Sequence, residues 1–189
     1  MIVRLMTLLL ALLLAGCSHT APEPDAPQAW LKPGVQVTLP APTLATPLSY
    51  QQLLTGQVNG QSQSLVVLMN ADGKTLSLAG LSAVGVRLFL VTWDGKVIHT
   101  EQSIVVAQLP PASQVLADVM LSHWPLSAWQ HQLPAGWTLT DVGDSRLLRD
   151  NHGKTVTEIH YLNRRGQRVP VSITQHVFHY HIAIQYVGD

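Results

Sequence analysis

Two groupings in this 189-residue chain carry side chains able to do chemistry in water. The first is Gly80-Leu81-Ser82-Ala83-Val84-Gly85, which has the outline of a nucleophile elbow. An α/β-hydrolase elbow needs G-x-S-x-G at a strand–turn–helix junction. Here the second glycine falls one residue late and the serine lies between two strand-like runs. Ser82 is therefore expected in a glycine-flanked bend that lets a sheet curve. No catalytic residues are assigned, and an enzyme (a hydrolase or acyltransferase) is the most distant reading. The second grouping is histidine, present nine times. His179 and His181 share one face of an extended strand, and His160 sits in a comparable Ile-His-Tyr setting on an earlier run. Such a trio could hold zinc or copper. No carboxylate or cysteine is spaced to complete it, and His176 has the opposite parity. The histidines are expected on the wetter face of a sheet, with a metal centre as the alternative; no cofactor is implied.

Cys17 is the one cysteine, so no intramolecular disulfide can form. It ends a basic start (Met1-Ile2-Val3-Arg4), an apolar run over 5–14 and the small residues Ala15-Gly16. That order is a secretory signal, and the apolar run is too short to span a bilayer. Leu14-Ala15-Gly16-Cys17 resembles the bacterial lipobox, so residues 1–16 are expected to be removed and Cys17 lipidated. Acyl chains would anchor the chain firmly, because each buried methylene contributes roughly 0.8 kcal/mol. Ser18 after the cysteine resembles proteins sorted to the outer membrane of Gram-negative bacteria, facing the periplasm. From Cys17 to about residue 46 the chain is rich in Pro and Ala and reads as an extended tether, with Trp30 resting near the membrane interface.

Residues 47–189 suit one domain. Charged residues are 12% of the chain, about half the usual share, which points to apolar surface beyond the core. Net charge is zero, so nucleic-acid binding has no electrostatic support. Four turn signals punctuate strand-like runs: Asn70-Ala71-Asp72-Gly73-Lys74, Trp93-Asp94-Gly95-Lys96, Asp150-Asn151-His152-Gly153-Lys154 and Asn163-Arg164-Arg165-Gly166-Gln167. Asp or Asn before Gly favours hairpins, so an antiparallel meander is predicted. Over 178–186 one parity is apolar (Phe178, Tyr180, Ile182, Ile184, Tyr186) and the other more polar. The 86–91 run is apolar on both parities, which predicts cover on both faces. Residues 110–133 interrupt the strands with helical spacing of Val115, Leu116, Val119 and Met120, ending before Pro125, then a short helix carrying Leu126, Trp129 and Leu133. The expected fold is mainly β with α: an antiparallel curved sheet of seven to nine strands, an unclosed half-barrel, with two short helices inserted mid-chain as plug or lid.

Gly80 to Phe89, the Leu90-Val91-Thr92-Trp93-Asp94-Gly95 segment, Val115-Leu116-Ala117-Asp118 through Trp124-Pro125, Arg146…Asp150…Gly153 and Ile159-His160-Tyr161 together resemble one family. It is an uncharacterised family of small outer-membrane lipoproteins found with aryl-polyene biosynthesis clusters, and the resemblance covers roughly residues 45–187. That family is similar in outline to the LolA/LolB-like carriers and receptors of lipoproteins. The resemblance implies an open antiparallel barrel around an apolar cavity, and binding or transfer of a lipid, an acyl chain or an aryl-polyene lipid. It supplies no catalytic residues.

Trp124, Trp129 and Trp137 fall in or beside the helical insertion with Met120 nearby. Such a face is either core or the lining of a site for a flexible apolar ligand. On the second reading the lining residues are Leu88, Leu90, Met120, Trp124, Trp129 and Tyr180. The basic run Arg164-Arg165-Gly166-Gln167-Arg168 is expected at a hairpin tip, with contact to anionic head groups or an envelope protein partner as the alternative. The rival class is a lipid-tethered scaffold of an envelope or pigment-synthesis assembly without a small ligand. A cavity above about 300 Å³ would favour the carrier, and a filled core with an exposed apolar patch the scaffold.

Overall fold

In a computed structural model the described residues are 27–102 and 110–188. Cys17, Ser18 and the signal sequence lie outside them. Twelve strands occur among the described residues, against the seven to nine expected. A hairpin, β1 (Gln28–Lys32) and β2 (Val35–Thr38), stands apart from a ten-stranded sheet. The sheet contains β3 (Leu48–Val58), β4 (Gln61–Ala71), β5 (Leu76–Leu81), β6 (Arg87–Trp93), β7 (Ile98–Gln102), β8 (Thr138–Val142), β9 (Ser145–Arg149), β10 (Thr155–Arg164), β11 (Gln167–Gln175) and β12 (Tyr180–Tyr186). Two helices, α1 (Ala112–His123) and α2 (Leu126–Trp129), fall where the helical spacing puts them.

Every neighbouring pair of strands is antiparallel, in the order β7-β6-β5-β4-β3-β12-β11-β10-β9-β8. Two five-strand meanders are thus sewn together by β3 and β12, which pair from Tyr180↔Val58 to Tyr186↔Gln52. β7 and β8 are the outer edges, so the sheet does not close among the described residues. The helices belong to the connection between those two edges.

The four turn signals work by one mechanism, in which a side-chain oxygen captures the N–H groups that the turn leaves unpaired. Asp72 accepts from Lys74 N and Thr75 N at 2.8 and 2.7 Å, and Asp94 from Lys96 N and Val97 N at 2.8 Å each. Asp150 accepts from His152 N and Lys154 N, and Asn163 from Gly166 N. Gly73 and Gly95 follow with φ of 88° and 90°, a region closed to most side chains. Ser82 is also a turn residue. Its N–H donates to Val86 O and its Oγ accepts from Val86 N at 3.1 Å, which closes the β5–β6 hairpin. Two residues earlier, Gly80 leaves room for an aromatic ring: a Cβ there would sit 2.2 Å from Phe89 Cε1.

The tether expectation is corrected over residues 27–46. Ala29, Leu31, Val37 and Leu39 are buried in the main core, each at 2–3% exposure. The next segment accepts indole N–H bonds at two carbonyls, Pro40 O from Trp93 and Ala41 O from Trp124. Lys32 Nζ reaches Asp150 Oδ2 at 3.0 Å, and Gln175 Nε2 donates to Leu31 O at 3.0 Å. Trp30 remains 43% exposed. The strand predicted from Phe178 begins two residues later, because Gln175 Oε1 accepts from Val177 N and Phe178 N and His179 turns with φ 56°. In β6, Phe89, Val91 and Trp93 are buried, whereas Leu88 and Leu90 are only half-buried, so the second face is not fully covered.

Candidate functional site

The sheet positions α1 by its C-terminal end, where a helix leaves carbonyls without intrahelical partners. Trp124 adopts an extended conformation before Pro125 and stops the helix. Arg146 on β9, 6% exposed, donates from Nη1 to Leu121 O at 2.8 Å and to Trp124 O at 2.7 Å. Its Nε holds Asp141 Oδ1 at 2.9 Å, keeping that carboxyl below the usual carboxylate range. Tyr161 OH donates to Ser122 O at 2.8 Å, and Trp129 Nε1 to Met120 O at 3.3 Å. Burial pushes the Tyr161 phenol up to about 12. Three residues from three different elements therefore fix one helix end.

Beneath α1, from Val115 to His123, the packing is incomplete. A cavity of about 190 Å³ lies between Val115, Asp118, Val119, Ser122 and His123 of the helix and the middle of the sheet. The sheet contributes Gln52, Leu54 and Gly56 from β3, Leu65 and Val67 from β4, Phe89 from β6, Ile173 from β11 and Tyr180, Ile182 and Ile184 from β12. Val58, Gln61 and Gln63, all exposed, form the rim at the tip of the β3–β4 hairpin, with Pro110 opposite. The space is smaller than the roughly 300–1,000 Å³ of sites that enclose a drug-sized ligand.

Its walls are mostly apolar, and its few polar groups are perturbed by burial. Asp118, 5% exposed, accepts a 2.7 Å hydrogen bond from Tyr180 OH. Burial raises its pKa to about 7, against the opposing effect of the bonds from Tyr180 and Gln114. Burial also raises the Tyr180 phenol, with Asp118 adding to the effect. His123 is stacked on Tyr50 with ring centroids 5.6 Å apart. Burial, helped by the Arg146 charge, lowers it to about 4, so it is neutral at pH 7.

The structure brings one of the six expected lining residues, Tyr180, to the cavity. Met120, Trp124 and Trp129 are 0% exposed and belong to the core. Trp137, at 9%, joins them. Each indole of Trp124 and Trp129 is committed to a backbone carbonyl. Leu88 and Leu90 alternate away from Phe89, which lines the cavity in their place. Sequence reasoning missed Gln52, Asp118 and His123. A carboxylate and an imidazole on the apolar side of a helical run were the available signal.

The three histidines of the metal alternative are not brought together. His160, exposed on β10, shares Ser145 Oγ and Glu158 with no other member of the trio. His181, at the cavity on β12, bonds Thr174 Oγ1 at 2.9 Å, and His179 occupies a turn. A carboxylate does stand beside His160, and His176 approaches the same Glu158 at 3.6 Å. Among the described residues no cluster of three His, Cys, Asp or Glu side chains is arranged to hold a metal ion. In the basic run, Arg168 lies 3.5 Å above the Tyr161 ring and Arg164 5.1 Å from that of Tyr186, so two of its cations make contacts within the fold.

Fold and site define a class: an open antiparallel sheet wrapped on one helix, with an apolar cavity between them. Residues 49–188 match a family described as a protein family of unknown function, DUF3261, and the chain belongs to it. No curated protein matches the chain.

Proposed function

We propose that this protein binds or transfers a hydrophobic molecule in the cavity under α1, while tethered by lipid on Cys17 to the periplasmic face of a Gram-negative outer membrane. The ligand is a lipid, an acyl chain or an aryl-polyene lipid, and the wider likeness is to the LolA/LolB-like carriers. The observation that carries this reading is the apolar gap itself. A buried helix normally packs against its sheet without voids, yet here Val115 and Val119 face an opening framed by Leu54, Leu65 and Ile182. At about 190 Å³ the cavity suits a segment of a chain, so a whole lipid requires α1 to move outward. Burial at roughly 25 cal/mol per Å² of apolar surface would drive binding. Among the described residues no helix is long and apolar enough to cross a membrane.

The test is native mass spectrometry on the full chain isolated from its own host with minimal washing, alongside mass analysis of its N-terminal peptide. A co-purified hydrophobic molecule that is lost in a folded Ile182→Glu variant supports the carrier, and a diacylglyceryl mass on Cys17 supports the anchor. A bare protein that also fails to take up a fluorescent acyl probe removes the carrier reading.

A second reading has its own observation. On the outer sheet face, Leu68, Ala79 and Leu90 align across β4, β5 and β6, and Leu53, Val66 and Leu81 form the adjoining row. Leu68 is 40% exposed. This patch suits a scaffold that docks an envelope protein. Leu68→Lys would abolish that docking and leave cavity binding unchanged.

A further inference from the structure

The cavity wall holds a polar group with nothing to bond. Gln52 on β3 is 5% exposed, and its Nε2 has no hydrogen-bond partner. The Tyr186 hydroxyl is within electrostatic reach, but its proton goes to Pro170 O at 3.1 Å, and no contact of Gln52 Nε2 has hydrogen-bond geometry. A buried amide donor left unpaired costs about 1–3 kcal/mol, and native folds keep few such groups. Along its strand Gln52 is flanked by Leu54 and Gly56 on the same wall, so the acceptor beside it is the Tyr186 phenol oxygen, which it does not meet in hydrogen-bond geometry.

Three other polar side chains of the cavity have partners within the fold. Asp118 accepts from Tyr180 OH, His181 Nδ1 bonds Thr174 Oγ1, and Ser122 Oγ donates to Asp118 O at 2.7 Å. Gln52 Nε2 is therefore the buried donor in this cavity that lacks an acceptor. We infer that the ligand is an apolar chain bearing an uncharged carbonyl oxygen, as in a ketone, ester or amide, and that Gln52 Nε2 donates to that oxygen. This inference rests on the carrier reading and specifies its ligand. A saturated hydrocarbon would leave the Gln52 donor unpaired. A primary amine would likewise leave the Gln52 donor unpaired. An anionic head group would meet the Asp118 carboxyl, for which no cation lines the cavity among the described residues.

The experiment uses the full chain carrying Cys17→Ser, so that no acyl chain of its own competes. Octane, 2-octanone and octylamine are matched in length. Each is titrated against bound N-phenyl-1-naphthylamine at pH 7 for the parent and for Gln52→Leu, with circular dichroism to confirm folding. The expected result is that Gln52→Leu weakens 2-octanone about fivefold relative to octane, the loss of one net hydrogen bond. In the parent protein, the infrared carbonyl band of bound 2-octanone should also shift to lower wavenumber than in hexane, which needs no variant. Equal changes for octane and 2-octanone with an unshifted carbonyl band would overturn the inference and leave the carrier reading standing. Tighter binding of octylamine than of 2-octanone would overturn it too. Failure of the fluorophore and of all three ligands to bind would remove both.

Discussion

Asp118 and His123 sit five residues apart on α1, both at the cavity, and their protonation equilibria are displaced in opposite directions. Asp118 has a folded-state pKa of about 7, above its ordinary 3.8, so between pH 4 and 7 the folded protein holds a proton that the unfolded chain has lost. Stability from this group is full at low pH and falls as pH rises, by about 1.4 kcal/mol per pH unit at most. His123 has a folded-state pKa of about 4, below its ordinary 6.5, so between pH 4 and 6.5 the unfolded chain holds the extra proton. Its contribution rises with pH at the same limiting slope. Over pH 4 to 6.5 the two slopes cancel, and their effect on unfolding free energy in the parent protein should be nearly flat. Asp118→Asn keeps the hydrogen bond from Tyr180 OH and removes one slope. The variant should then gain about 3 kcal/mol relative to the parent between pH 4 and 6.5, because removing the Asp118 slope leaves that of His123 unopposed. Urea denaturation of the full chain at pH 4, 5, 6 and 7, followed by circular dichroism, reads this directly. Parent and Asp118→Asn curves that run parallel over this range would refute the opposed titrations.

Three further perturbations test the architecture. Arg146→Met leaves Leu121 O and Trp124 O buried without donors and Asp141 without its closest cation; it should cost about 3–5 kcal/mol in urea unfolding. Gly80→Ala puts a Cβ into the Phe89 ring and should cost about 1–3 kcal/mol, partly recovered by Phe89→Leu, with thermal melts as the readout. Leu31→Ala removes a side chain that is 2% exposed and should cost about 2–5 kcal/mol by the same measurement. A loss below about 0.5 kcal/mol would mean that the β1–β2 hairpin does not dock on the core.

The sheet was readable because its turns advertise themselves. Asp72, Asp94, Asp150 and Asn163 each sit two to four residues before the N–H groups they capture, a relation visible in the chain. The helices were readable because Pro110-Pro111, Pro125 and Pro134 bracket them. The β1–β2 hairpin was not, because proline and alanine around it lower local hydropathy while only Ala29, Leu31, Val37 and Leu39 carry the inward alternation. The cavity lining was misjudged for a related reason. Size and aromaticity suggested Trp124 and Trp129, but large rigid rings fill space best, and both close the core instead. The lining falls to medium aliphatic residues such as Leu54, Leu65 and Ile182 and to a few polar groups. Only cross-strand register brings those together, and β3 and β12 are more than a hundred positions apart in the chain.

The distribution of anchors along α1 decides how the cavity can widen. At its C-terminal end Arg146, Tyr161 and Trp129 bind four carbonyls between Met120 and Trp124, and Trp124 Nε1 ties that end to Ala41. At its N-terminal end Pro111 supplies no side-chain cap, and the contacts there are the 3.2 Å bond from Trp30 N to Gln114 Oε1 and the Asp118–Tyr180 pair. Releasing the C-terminal end would strand several buried carbonyls at once, each at a cost of about 1–3 kcal/mol. Releasing the N-terminal end breaks about two hydrogen bonds, one of them to exposed Trp30. The cavity runs along the helix from Val115 to His123. An outward swing of α1 about its C-terminal anchor is therefore the opening that breaks the fewest hydrogen bonds, although it also uncovers buried Leu116 and Ala117. The Asp118–Tyr180 bond is the shorter of the two hydrogen bonds that such a swing must break.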